Sequence, residues 1–197
     1  MASNPPPPFK ERIAFLVDST LRSYSVVFFS QKNLFGFLIL LATFVEPVKG
    51  AFGLLGLFCA NGVASVVGYE RSAIRKGYYG FNAMLVGLAL SYFYAPTMNL
   101  LVVTVLSSFL VTFLTAGLQH VLWYYLRLPA MSLPFVLVFS VAITASLGFG
   151  KLEIAAPAVT ADFLRLPLVE LFLKSLGSVF FQVNIISGGI ILFALLV

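Results

Sequence analysis

A chain of 197 residues that is 60% hydrophobic and only 10% charged lies outside the range of soluble domains, in which about a quarter of the residues are charged. With a mean hydropathy of +1.04, it reads as an integral membrane protein whose main partner is the lipid bilayer. The formal charge of +5 does not signal nucleic acid, because the cationic residues lie between apolar runs, at Arg71, Arg75, Lys76 and Arg127, without a basic stretch carrying interleaved aromatics.

Residues 1–21 read as a proline-rich tail and an interfacial segment. MASNPPPPFKER is polar, its four prolines favour an extended chain, and it lacks the features of a cleavable signal peptide. Phe9 to Ser30 carries Lys10, Glu11, Arg12, Asp18 and Arg22, too many charges for a spanning helix of about 20 mostly apolar residues. Its second part, SYSVVFFS, has the length of a half-membrane helix. Leu34 to Val45 is apolar but short and ends at Glu46-Pro47. Glu46, with Lys49 three residues on, reads as a solvated helix end rather than an ion site.

Ala51 to Tyr69 is a full-length span in which Gly53, Gly56 and Gly62 are expected to serve helix contact. It holds Cys59, the single cysteine, which excludes an intrachain disulfide and a cysteine metal cluster. Gly80 to Tyr94 is the next apolar segment, stopped at Ala95-Pro96. Met98 to Leu126 spans with tilt, and its end carries Gln119, His120 and the interface belt Trp123, Tyr124, Tyr125 and Arg127. Pro129 to Phe149 is a further span, interrupted by Pro134, and Gly150 to Glu170 is more polar. Segments that cross lipid at these lengths must be helical. The expected fold is an all-α, multi-span membrane bundle containing a half-membrane helix.

The chain repeats itself. Arg22 to Val45 (RSYSVVFFSQKNLFGFLILLATFV) and Lys174 to Val197 (KSLGSVFFQVNIISGGIILFALLV) share nine of 24 positions at an offset of 152, among them Val27/Val179, Phe28/Phe180, Phe29/Phe181 and Gly36/Gly188. Such a repeat suggests a pore or carrier of two similar halves around a site near the bilayer midplane. The expected organisation is a first transmembrane repeat at 22–149, a connecting segment at 150–173 and the opening of a second repeat at 174–197.

Two motifs stand between the copies. Gly77 to Gly87 reads GYYGFNAMLVG and places the amide of Asn82 in apolar surroundings. Leu128 to Phe135 reads LPAMSLPF, with Pro129 and Pro134 bracketing the Ser132 hydroxyl. Pro134 is expected to break or bend the helix, because it lacks an N–H and clashes with the carbonyl of residue 130.

With these motifs the chain resembles the urea transporter family of bacterial-type urea channels. GYYGFNAMLVGLAL is similar to that family's Y/W-G-F/Y-N block, and LPAMSLPF looks like its signature L-P-x-x-T-x-P-F, with Ser132 at the usual Thr position. The resemblance implies two inverted repeats, a homotrimer with one pore per subunit, and a location in a bacterial inner membrane. It implies a narrow slot passing urea or a similar small neutral amide without a cofactor. Ser132 would be its central hydroxyl, Phe28, Phe29, Phe81 and Leu85 its walls, and Phe180 and Phe181 the contribution of the second copy. Asn82, Pro129 and Pro134 belong to the structural motif. Val26 and Ser178 stand where many members of the family carry Gln, which removes an amide acceptor and leaves the exact substrate open.

Other classes fit less well. An intramembrane hydrolase needs a metal motif such as H-E-x-x-H, a nucleophile with its base, or paired membrane carboxylates, and the chain has one histidine. An ion-coupled carrier would place charge in mid-span, whereas these spans keep theirs at the ends. A non-conducting structural fragment leaves the repeated half-helix without a purpose.

Overall fold

Helix is the regular structure of the computed structural model, which describes residues 9–150, 152–155 and 167–197. In chain order come α1 (Phe9–Ser25) with a single 3-10 turn at Val26–Phe28, α2 (Asn33–Thr43), α3 (Pro47–Val67), α4 (Arg71–Arg75) and α5 (Gly80–Phe93). Then follow α6 (Met98–Leu126), α7 (Leu133–Phe149), α8 (Leu168–Ser178) and α9 (Ile185–Leu196). By length and composition α3 and α6 can each cross a membrane; α1 with its 3-10 turn meets α2 at 83°, a broken span or re-entrant element.

The boundaries follow from local chemistry. Pro47 opens α3, where its missing N–H costs nothing, and Gly68 closes it at φ 85°, which lets the Tyr69 N–H reach the Ala64 carbonyl at 2.9 Å. The Thr97 hydroxyl caps α6 by accepting from the Leu100 N–H at 3.3 Å.

Small residues let α3 and α5 touch backbone to backbone. A Cβ added to Gly56 would stand 2.4 Å from the Ala83 carbonyl oxygen, and one added to Gly87 would stand 2.2 Å from that of Phe52. Gly62 departs from its expected role: a Cβ there would meet nothing within 4 Å, because it lies off the face on which Gly53, Gly56, Ala60 and Ala64 are buried. α5 is buried almost all round, under α3, α6 and α7, so it has no polar face. Against this core α6 turns Thr104, Ser108 and Thr112, each buried and donating to the carbonyl four residues back at 2.7–2.8 Å. Those hydroxyls satisfy themselves locally.

Two expectations about elements change. The half-membrane helix is not a separate piece beginning near Ser23; α1 runs unbroken from Phe9. The charges in its second half are partnered: Asp18 pairs with Arg75 at 2.5 Å and accepts from Asn33 at 2.8 Å, and Arg22 Nε donates to Asn33 Oδ1 at 3.3 Å. Nor does Pro134 interrupt a helix. α7 starts at Leu133 with Pro134 in its first turn, where proline's fixed φ suits the helix, and the break lies before it. α8 begins at Leu168, ahead of the second copy, just as α1 begins ahead of the first. Between α7 and α8, Ala95 donates to the Glu153 carbonyl at 2.8 Å and Ala155 to that of Phe93 at 3.0 Å, which pins residues 152–155 to the end of α5. The remainder of the 150–173 connection, residues 151 and 156–166, lies outside the described residues.

Candidate solute pathway

The sequence repeat is a repeat of conformation. Phe29 (φ 59°) and Phe181 (φ 57°) are both left-handed, an uncommon state for a residue with a side chain. Phe29 donates to the Val26 carbonyl at 2.9 Å and Phe181 to that of Ser178 at 3.0 Å. The next residues, Ser30 and Gln182, donate to Ser25 and Gly177 at 3.2 and 3.1 Å. Every one of these pairs is related by 152 positions. Each half-helix thus ends in a tight turn on a phenylalanine, and the following helix sets off in a new direction.

The copies meet where their phenylalanines meet. The Phe28 and Phe180 ring centroids are 5.9 Å apart, and Phe28 stands edge-on to Phe35 at 5.8 Å. Behind them α2 packs on α9, burying Ile39, Ala42, Ile191 and Ala194. Two side chains of the second copy cap the end of α2: Gln182 Nε2 donates to the Thr43 carbonyl and the Ser187 hydroxyl to the Ala42 carbonyl, both at 3.0 Å. Carbonyls at a helix C-terminus lack an intrahelical partner, so these bonds join the copies where the backbone needs it.

Phe28, Phe81, Leu85, Phe180 and Phe181 come together in one apolar cluster with Tyr24, Phe35, Met84, Leu88 and Phe135. Phe181 also meets Tyr92, Phe93, Phe135 and Phe139 at centroid distances of 6.0, 6.5, 6.1 and 6.3 Å. Phe29 stands outside the cluster, 74% exposed. Ser132 is exposed at the residue before α7, and its hydroxyl neither caps the helix nor makes another hydrogen bond among the described residues. Its link to the cluster is along the chain, through Phe135 one turn on. Pro129 is exposed and Pro134 buried.

Asn82 is fully buried, and its Nδ2 donates to the Thr115 hydroxyl at 3.3 Å and to the Met131 carbonyl at 3.2 Å. Of the positions that lack Gln, Val26 is half-buried and Ser178 donates to the Ser175 carbonyl at 2.6 Å, a bond within its own helix.

Sequence reading missed Phe35, Tyr92, Phe93, Phe139 and Gln182. Gln182 had one available signal, as the only amide side chain beside a repeated Phe-Phe pair. The others had none, since an aromatic residue in an apolar run does not declare its neighbours. Glu46 and Lys49 pair at 2.5 Å at the start of α3, and His120 stacks on Tyr124 at 6.4 Å within the exposed aromatic belt. The cluster is thus made of rings and aliphatic chains with the buried Tyr24 hydroxyl among them, and the unengaged Ser132 hydroxyl stands at the start of the adjoining helix. Such an environment suits a small neutral solute, because moving a bare ion into a medium of low dielectric costs of order 20 kcal/mol before any partner offsets it.

The family profile described as "Urea transporter" matches residues 17–197. Urea transporter 1 of Ovis aries is 29% identical over 194 residues, covering 91% of this chain and 50% of the relative. The chain therefore spans about half the length of the curated relative it matches.

Proposed function

The chain belongs to the urea transporter family, whose members are membrane transport proteins and not enzymes, and from that premise we propose that it supplies part of a passive pathway for urea or a similar small neutral amide. In this reading 22–149 is a first repeat, 150–173 a connection and 174–197 the opening of a second, inverted repeat. The assembly is a homotrimer with one pathway per subunit, in a bacterial inner membrane. Phe28, Phe29, Phe81, Leu85, Phe180 and Phe181 line an aromatic slot, and Ser132 is the hydroxyl beside it.

The observation that carries the proposal is the duplicated half-helix turn, with left-handed Phe29 and Phe181 and with Phe28 facing Phe180 at 5.9 Å. Two copies of one turn that meet through their phenylalanines form a constriction between halves of a transporter in this reading. Flat rings admit a planar molecule and reject a bulky or hydrated one. A urea molecule that leaves water must recover part of its lost hydrogen bonding. A side-chain hydroxyl such as that of Ser132 returns roughly 0.5–1.5 kcal/mol per bond, enough to lower the barrier without trapping the solute.

The charge distribution supports passage without ion coupling. Lys49 is the only Asp, Glu, Lys or Arg in α3, and it pairs with Glu46 at the helix start; α6 contains none. The test is uptake of labelled urea into proteoliposomes down its own gradient, with sodium and proton gradients collapsed. Uptake should persist and be indifferent to membrane potential; uptake that appears only with an imposed ion gradient would replace the passive pathway with a coupled carrier.

A further inference from the structure

The turn that presents Ser132 is held from outside by two other helices. Met131, immediately before it, has φ 50°, a left-handed backbone that an unbranched side chain adopts only when its surroundings impose it. Those surroundings are specific. The Ala130 N–H donates to Gln119 Oε1 of α6 at 3.0 Å, and the Met131 carbonyl accepts from Asn82 Nδ2 of α5 at 3.2 Å. The other hydrogen of that amide goes to the Thr115 hydroxyl at 3.3 Å, which itself donates to the Val111 carbonyl at 2.7 Å and so has its lone pairs turned to accept. Thr115 and Gln119 are four apart on α6, hence on one face. The Pro129–Ala130 and Met131–Ser132 peptide units, with one unit between them, are therefore gripped by amide side chains remote in sequence. Within the turn the Leu133 N–H returns to the Ala130 carbonyl at 3.1 Å.

Nothing in the fold requires this arrangement merely to start α7. Pro134 already presets the first turn, and a helix start is ordinarily satisfied by its own cap residue. Yet Ser132, in the capping position, leaves its hydroxyl uncommitted while the backbone before it is held strained by Asn82 and Gln119. The outcome is a hydroxyl aimed by others and reserved from local bonding.

We propose that Asn82, Thr115 and Gln119 are positioning residues that fix the Ala130–Met131 backbone and thereby aim the Ser132 hydroxyl at the passing solute. The proposal rests on the reading of Ser132 as part of the pathway. Asn82 is the centre of the device, because one amide ties α5, α6 and the turn together.

The experiment places a cysteine at the aimed position (Ser132→Cys in a Cys59→Ala background) and measures its labelling rate with a small methanethiosulfonate reagent, with Ser140→Cys in α7 as reference. Thr115→Val should shift the labelling rate at 132 by at least about threefold, the scale of losing one modest hydrogen bond, with the rate at 140 unmoved. Thr115→Ser, which keeps the acceptor, should restore it. Gln119→Leu, at an exposed position of α6, should act like Thr115→Val, and Asn82→Leu should act more strongly where the protein still folds. In proteins with Ser132 intact, urea flux should fall about tenfold in Thr115→Val and recover in Thr115→Ser. Equal shifts at 132 and 140 would mean general loosening, and no shift in either Thr115→Val or Gln119→Leu would mean no aiming; each overturns the proposal. The labelling does not need transport. A protein that responds in labelling but carries no urea would keep the positioning device and reject the pathway.

Discussion

Gly36 and Gly188 make the same contact 152 residues apart. A Cβ on either would stand 1.9 Å from a carbonyl oxygen, that of Leu21 for the first and of Leu173 for the second, and Leu21 and Leu173 are themselves 152 apart. The half-helix and the helix that follows it cross at a glycine in both copies, so the repeat includes its tertiary packing. Gly36→Ala and Gly188→Ala should each destabilise by about 1–3 kcal/mol, the usual range for overpacking, because the obstacle is backbone and cannot swing aside. Gly189, next to Gly188, has nothing within 4 Å of its would-be Cβ, and Gly189→Ala should be neutral or stabilising by about 0.4–1 kcal/mol. Thermal unfolding in detergent should separate the neighbours; equal melting temperatures for the two variants would contradict the crossing.

Phe29 and Phe181 share a backbone state but differ in surroundings, so the same substitution should have opposite effects. Glycine at 29 relieves a left-handed backbone worth about 1–2 kcal/mol and sacrifices a ring that is mostly exposed. Phe29→Gly should leave the melting temperature unchanged or raised while reducing urea flux. Phe181→Gly gains the same relief but gives up contacts with Tyr92, Phe93, Phe135 and Phe139, and its melting temperature should drop. A parallel drop in both would mean that the Phe29 ring is held by packing after all.

Ser132→Val should slow urea flux without harming the fold. Its hydroxyl is exposed and makes no bond among the described residues, so the fold loses nothing when it goes. A lost solute bond slows passage by up to about tenfold. Ser132→Thr keeps the hydroxyl and should retain flux. The check is flux normalised to folded protein, and a destabilised Ser132→Val would assign the hydroxyl to the fold.

Gln182→Leu should weaken the joint between the two copies. It leaves the Thr43 carbonyl without the bond that Gln182 Nε2 supplies at 3.0 Å, in a place where Thr43 and Gln182 are both fully buried. An orphaned buried acceptor costs about 1–3 kcal/mol. Unfolding in detergent should register that loss, and Gln182→Glu, which keeps the length but lacks the donor, should not repair it. An unchanged melting temperature would show that α2 and α9 do not depend on this bond.

Much of this architecture was legible because lipid simplifies the code. α6 was readable to the residue, since Thr97 and Arg127 bound a long, mostly apolar run without Asp, Glu, Lys or Arg, and the copies were readable because Val-Phe-Phe and glycine recur at one offset. The continuity of α1 was not, because Asp18 looks prohibitive until Arg75, 57 positions away, is seen beside it. Pro134 was misplaced for a related reason: proline marks either a kink or a helix start, and only the turn at Ala130 to Ser132 decides which. At the proposed pathway, the family resemblance implies Ser132, Phe81, Leu85 and the two phenylalanine pairs, and of these the apolar cluster gathers Phe28, Phe81, Leu85, Phe180 and Phe181. Gln119 and Gln182 bond to backbone atoms of Ala130 and Thr43, and a backbone atom leaves no signature in sequence.

The most direct test of the pathway is to make it chemically blockable at Ser132. In proteoliposomes carrying the Ser132→Cys, Cys59→Ala protein, urea flux should be abolished by a small thiol reagent, and saturating urea should slow that inactivation. The Cys59→Ala parent should be indifferent to the reagent. Flux that survives full modification of the introduced cysteine would place the solute's route elsewhere and contradict the account.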